Sequence, residues 1–223
     1  DGWVWIQDKN WCVFPPLPLG DSNIDYSASR IWALFGDSGS SISSDYKFLD
    51  WQYIFCPHNF TAMTGGYWET FRKNVRKWPS RNIGWTYSEK SPTLKEAGEL
   101  IGEWLEIRKQ SVEDAEFLAR FAIFAQFSGI ERKFLYNSTG QLIGINAWDE
   151  NWKYINYRVC IVKPGEDFLD EFMRYLFFTD EDILQREKLV NDGGTLGNLG
   201  LERFKDKMNP ISKVKIYSYI RTS

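Results

Sequence analysis

The spacing of apolar positions changes character along this chain, and each change predicts a different kind of element. Phe71, Val75 and Trp78 fall at i, i+4 and i+7, one face of a helix in the stretch 61–81. Leu94, Ala97, Ile101, Trp104 and Leu105 mark a second helix over 94–110, capped by Thr93 with Glu96 in its first turn. Phe117, Phe121, Phe124 and Ala125 mark a third over 112–128, with Gly129 at its C-cap. The period then drops to two. Glu131–Tyr136, Gln141–Trp148 and Lys153–Val162 read as strands of an antiparallel meander, with turns at 137–140 and 149–151. A helix over 166–178 follows, with Phe168, Phe172, Tyr175 and Leu176 on one side. Then come a short strand at 188–190, a glycine-rich turn over 191–200, a helix over 199–208 and a strand over 214–220. The first sixty or so positions are irregular by comparison. Trp3–Ile6, Trp11–Phe14 and Trp51–Phe55 are strand candidates, broken by prolines and by the loop at 36–41. The order predicts an α+β fold with a mixed, mostly antiparallel central sheet flanked by helices. It divides into an irregular aromatic-rich part over 1–64 and a main domain over 65–223.

Composition narrows the function. Of 223 residues 43% are apolar and 26% charged, which is ordinary globular material. Net charge is −3, so a uniformly basic coat for nucleic acid is excluded while a local basic patch is not. No apolar run reaches the ~18 residues of a membrane span, and no leader opens the chain. Cys12, Cys56 and Cys160 form neither a disulfide framework nor a metal pair, which fits a reducing, cytoplasmic setting. His58 is the single histidine, so His-rich zinc sites are excluded and no metal is expected.

Two segments carry candidate chemistry. Arg72, Lys73, Arg76 and Lys77 lie beside and opposite the apolar face of the first helix, offset locally only by Glu69. They read either as a solvated face or as a phosphate-binding one. Leu189 to Lys205 runs from a strand through Asn191-Asp192-Gly193-Gly194-Thr195-Leu196-Gly197-Asn198 into a helix. Glycines there let backbone N–H groups approach a ligand, or simply make a tight turn. The spacing matches neither a dinucleotide nor a P-loop motif. Acids between 166 and 187, with Arg174 and Arg186, read as a solvated face rather than a metal site.

The C-terminal half resembles the acyltransferase superfamily of GCN5-related N-acetyltransferase fold. In motif it is closest to Fem-type aminoacyltransferases and the phosphatidylglycerol lysyltransferase C-terminal family. The element order over 94–220 carries the likeness, with Gly200-Leu201-Glu202-Arg203-Phe204-Lys205 and the basic Asn74-Val75-Arg76-Lys77. The resemblance implies transfer of an acyl or aminoacyl group from an activated donor to an amine or hydroxyl. The acceptor classes are a small amine, a lipid, a cell-wall precursor or a nucleic-acid base. It implies that strands 154–162 and 188–191 run parallel and splay apart, and that acetyl-coenzyme A or another acyl or aminoacyl donor lies between them. Lys205 would stabilise an oxyanion, Asp192 would orient or deprotonate an amine, and Tyr157 would complete the catalytic set. Asn156, Asn191, Gly193, Gly194, Gly197 and Asn198 would line the cleft, with Phe204 packed inward and Lys205 at the rim. The stretch Val162–Phe168 has one glycine and two acids where coenzyme A-dependent members carry a glycine-rich pyrophosphate loop, and Phe204 stands where a general-acid tyrosine often sits. A second reading of the same features is a non-catalytic binding module on a degenerate transferase fold, whose aromatic and basic surfaces hold nucleic acid or sugar.

Overall fold

The computed structural model describes the backbone over 3–4, 7–8, 11–14, 17–18, 31–35, 46–108, 129–151, 153–195 and 197–219. Side chains are described over 50–107, 129–151, 153–195 and 197–215. The helix expected at 112–128 lies outside these residues. In chain order the elements are β1 (Trp3–Val4), β2 (Gln7–Asp8), β3 (Trp11–Phe14), β4 (Leu17–Pro18), β5 (Ile31–Phe35), β6 (Tyr46–Phe55), α1 (His58–Ala62), α2 (Glu69–Arg81), β7 (Thr86–Ser88) and α3 (Leu94–Arg108). They continue with β8 (Glu131–Tyr136), β9 (Leu142–Glu150), β10 (Tyr154–Val162), α4 (Leu169–Phe178), α5 (Glu181–Gln185), β11 (Leu189–Asn191), α6 (Leu199–Lys207) and β12 (Ser212–Tyr219).

The chain forms two compact units. The first gathers Asp1–Ile54, Gly193–Lys205 and Pro210–Ser223; the second holds Phe55–Asp192 and Asp206–Asn209. In the first unit β2, β3, β5, β12 and β6 pair antiparallel in that order, and β1 pairs with β4. The late strand β12 therefore lies between two early ones.

In the second unit β7, β8, β9 and β10 form the expected meander plus one added edge strand, all antiparallel. β11 joins β10 in parallel. Helices cover both faces. Ala97, Leu100, Ile101 and Trp104 of α3 pack on Ile145, Ala147, Val159 and Ile161. Trp78 of α2 and Leu169, Phe172 and Met173 of α4 pack on Leu135 and Ile143. An aromatic cluster ties α1, α2 and α4 together: Phe60 stacks on Phe178 at 3.9 Å and meets Trp68 and Phe71 edge-on.

The local reasons are visible in the caps. Thr93 and Glu96 form a capping box: the Thr93 amide donates to Glu96 Oε2 (2.8 Å) and the Glu96 amide to Thr93 Oγ1 (3.3 Å). These bonds hold the Glu96 carboxyl below its usual range. α2 runs through Pro79 to Arg81. The bond that proline cannot donate is the one to the Val75 carbonyl; at the helix end Ser80 Oγ donates to the Lys77 carbonyl (2.8 Å) and Asn82 Nδ2 to that of Trp78 (3.0 Å).

The buried stripe of α4 is displaced from the expected one. It comprises Leu169, Phe172, Met173, Arg174, Phe177 and Phe178, while Tyr175 and Leu176 are half-buried. Arg174, expected on a solvated face, is 7% exposed.

Candidate active site

The parallel pairing of β10 and β11 is short. It comprises Tyr154↔Leu189, Ile155↔Val190 and Asn156↔Asn191, and among the described residues goes no further. β10 then runs on through Tyr157–Val162. β11 is paired over all three of its residues and ends there, so that β10 runs on past it from this fork.

A β-bulge lies just past the fork. Tyr157 pairs with Trp148 of β9 but Val159 pairs with the next residue, Ala147, so Arg158 is extra. The bulge resets the alternation of faces. Tyr157 and Cys160 consequently both point at α4, which a strict period of two does not allow. The Tyr157 ring stacks on Phe177 at 4.2 Å, and the Cys160 thiol donates to Asp170 Oδ1 at 3.5 Å.

Arg174 of α4 reaches this point from beneath the sheet. Its Nε donates to Asp192 Oδ2 (3.3 Å), Nη2 to Asp192 Oδ1 (3.5 Å) and Nη1 to Asp170 Oδ1 (3.3 Å). Its Cζ lies 5.4 Å from the centre of the Tyr157 ring. Burial alone would weaken the guanidinium's hold on its proton; the charge of Asp192 first, with that of Asp170, outweighs this and raises the pKa. Burial pushes the Cys160 thiol up to about 12 and the Tyr157 phenol well above its ordinary value. At neutral pH both remain protonated, so neither is an anionic nucleophile or base. The Tyr157 hydroxyl donates to Asn146 Oδ1 (2.5 Å), and Asn146 Nδ2 donates in turn to the Tyr87 hydroxyl (2.9 Å) and the Met173 carbonyl (3.0 Å).

Of the residues expected at the site, Tyr157 and Asp192 thus meet around one guanidinium, 5% of Asp192 being exposed. Asn191 is buried at the end of the short pairing. Asn156 turns to the other side of β10, where its Nδ2 donates to Asp149 Oδ1 (2.7 Å), a carboxylate it shares with Arg158. On α2, Arg72 donates to the Met63 carbonyl, and Lys77 lies 4.0 Å from the Phe168 ring and bonds Asn74 Oδ1 (3.2 Å). Lys73 and Arg76 are the exposed pair of that set.

The remaining candidates belong to the first unit. Lys205 is 2% exposed, and its ammonium donates to the carbonyls of Gly193 (3.2 Å) and Gly194 (3.1 Å), 5.6 Å from the Tyr53 ring. Phe204, expected to pack inward, is half-buried, and Lys205 is the buried residue of the two. The Thr195 amide donates to Asp50 Oδ2 (2.5 Å) and the Tyr53 amide to the Gly193 carbonyl (3.1 Å). A Cβ at position 194 would come within 2.3 Å of Asp50 Oδ2, so glycine there is a packing requirement. Asn198 caps α6, accepting from the Leu201 amide at 3.0 Å, and Gly197 is an exposed residue with φ of 77°. The glycine turn is a fastened structure in which carbonyls face a cation.

Sequence reasoning missed Arg174, Asn146, Tyr87 and Asp50. A signal existed for the first: Asp170 and Arg174 stand at i and i+4, with Phe177 and Phe178 one turn on, the stripe that α4 buries.

The turn from β10 to α4 tests the donor. The Lys163 amide is bonded to the Ile143 carbonyl (2.8 Å), and Trp78 Nε1 donates to Glu166 Oε2 (3.2 Å). Asp170 and Glu171 fill the first turn of α4, and Phe168 precedes it at φ of 67°. Carboxylates here compensate the helix dipole that a diphosphate would need. These residues do not fit the diphosphate of coenzyme A.

No family profile matches this sequence, and no curated protein matches it. Solved structures do. A conserved protein of unknown function from Bacteroides thetaiotaomicron superposes with a TM-score of 0.65 at 16% identity, over 79% of this chain and 62% of that one. FemX gives 0.56 at 12%, over 81% and 64%. The C-terminal domain of a putative lysylphosphatidylglycerol synthetase from Agrobacterium fabrum gives 0.54 at 13%, over 80% and 63%. The chain shares the fold of these proteins. At such identities the likeness is one of fold, with Fem-type and lysyltransferase-like neighbours, as the sequence resemblance implied. The chain spans about three fifths of the length of these structures. Among the described residues no helix is long and apolar enough to cross a membrane.

Proposed function

We propose that this chain is an acyl- or aminoacyltransferase whose donor lies along β10 where it parts from β11. The observation that carries the reading is the fork itself, a parallel pair that ends at Asn156↔Asn191 in a fold shared with FemX. In the reaction the acceptor's amine nitrogen or hydroxyl oxygen bonds to the acyl carbon. The donor's ester bond breaks, and the acceptor's proton passes to the leaving oxygen. The acids before and within the first turn of α4 favour an acyl or aminoacyl ester over a coenzyme A thioester. Lys73 and Arg76 are the cations available to a phosphate-bearing donor or acceptor, nucleic acid included, and such binding weakens steeply with salt.

The test offers the protein labelled acetyl-coenzyme A and labelled aminoacyl-tRNA, each with a small amine, anionic lipid vesicles and single-stranded DNA as acceptors. Label is expected to move from the aminoacyl ester. Transfer from acetyl-coenzyme A would overturn the donor assignment. A second reading, a non-catalytic module, is favoured by one observation: the side chains of Tyr157, Asp192 and Lys205 all bond within the protein. Saturable oligonucleotide binding with no transfer from any donor would establish it.

A further inference from the structure

One side chain meets the first residue past the fork on both strands. Pairing ends at Asn156↔Asn191, and the next residues are Tyr157 and Asp192. Arg174 holds both oxygens of Asp192 with Nε and Nη2, and lies over the Tyr157 ring. Its remaining terminal nitrogen, Nη1, is bonded to Asp170 one turn earlier on α4. That bond fixes the guanidinium plane to its own helix, and Cys160, further along β10, donates to the same carboxylate oxygen. The helix beneath is well anchored, with Met173, Phe177 and Phe178 fully buried. We infer that Arg174 is a positioning residue: a planar wedge, carried on a rigid helix, that sets where β10 and β11 separate. The inference rests on reading the fork as the donor site.

Geometry supports a wedge over a simple ion pair. A point charge would hold Asp192 at one distance but would not fix its direction, whereas the guanidinium fork fixes both. The bulge at Arg158 turns Tyr157 toward the same guanidinium, so each strand is held by a different interaction of one group.

A merely stabilising pair and a wedge make different predictions. Removing one partner of a buried pair leaves an uncompensated charge, while replacing both with apolar groups restores stability. If Arg174 only stabilises, the double variant Arg174→Met/Asp192→Leu regains both its melting temperature and its native fork. If Arg174 is a wedge, stability returns and the fork does not. Hydrogen exchange at the amides of Asn156–Val162 and Val190–Asp192 reads the fork directly. The double variant is expected to melt within a few degrees of the native protein while those amides exchange at least about tenfold faster. Arg174→Lys, which keeps the charge, is expected to show raised exchange as well. With donor and acceptor supplied, its KM for donor should rise about tenfold with kcat changed by less than about threefold. Native exchange rates at the fork in the double variant, or in Arg174→Lys, would overturn the inference. Should the native protein transfer no acyl group from any donor, the transferase reading fails, and the exchange data still decide whether Arg174 sets the fork.

Discussion

At the scale of single residues, the most informative side chains are charged or polar groups whose partners lie inside the fold. Lys205 is the clearest. Its stem fills space beside Tyr53 and its ammonium satisfies two carbonyls of the glycine turn. Truncation leaves those carbonyls without their donor and opens a cavity. Lys205→Ala is therefore expected to destabilise the protein by about 2–4 kcal/mol in a urea titration. Lys205→Met keeps the stem and is expected to lose about half as much. Cys160 gives a second prediction. With its folded pKa at about 12 against an ordinary value of 9.0, the neutral thiol is favoured by folding. Its contribution to stability is complete below about pH 9 and is lost as pH rises from there toward 12. Iodoacetamide at pH 8 is expected to leave Cys160 unmodified in the native protein and to label it in urea, as peptide mass spectrometry reads.

At the scale of elements, the hydrophobic periods located the meander, the helix after Thr93 and the strand–turn–helix–strand ending to within a few residues. In the meander and the helix after Thr93 they did so because Ala97, Leu100, Ile101 and Trp104 bury one apolar face against Ile145, Ala147, Val159 and Ile161. What they missed has physical causes. β7 is a short edge strand with a half-buried pattern, and α1 and α5 are too brief for a period to show. β5 was missed too, because Ile31–Phe35 is a wholly apolar run with no alternation to read. The fork was legible only through resemblance. Its contents were not, because the bulge at Arg158 changes which residues share a face and Arg174 looks like surface charge in a run of acids. Close packing of α4 on the sheet yields the next prediction. A Cβ at Gly144 would lie 2.6 Å from Met173 Sδ and 3.2 Å from Leu135 Cβ. Gly144→Ala is expected to cost about 1–3 kcal/mol in a denaturant titration, and Met173→Ala in the same background to relieve part of the clash.

At the scale of the whole molecule, the path of the chain matters more than its composition. The second unit is nearly one continuous stretch, Phe55–Asp192, whereas the first is assembled from separated stretches. Its sheet depends on β12, which pairs with β5 on one side and β6 on the other. Deleting 210–223 is expected to lower exchange protection in β5 and β6 at the amides that face β12. A mass-spectrometric exchange map would check this, with protection in β8, β9 and β10 as the internal comparison. The placement of β12 also orders events in time. A ribosome delivers β5 and β6 long before the strand that must lie between them. Throughout the synthesis of Phe55–Asp192 these two strands wait with open hydrogen-bonding edges, exposed to any other chain that offers a strand. The meander can close as soon as it has emerged, but the first unit stays incomplete until Ser212–Tyr219 have been made. A helper that masks β edges during translation would raise the yield of this protein more than one that acts after release.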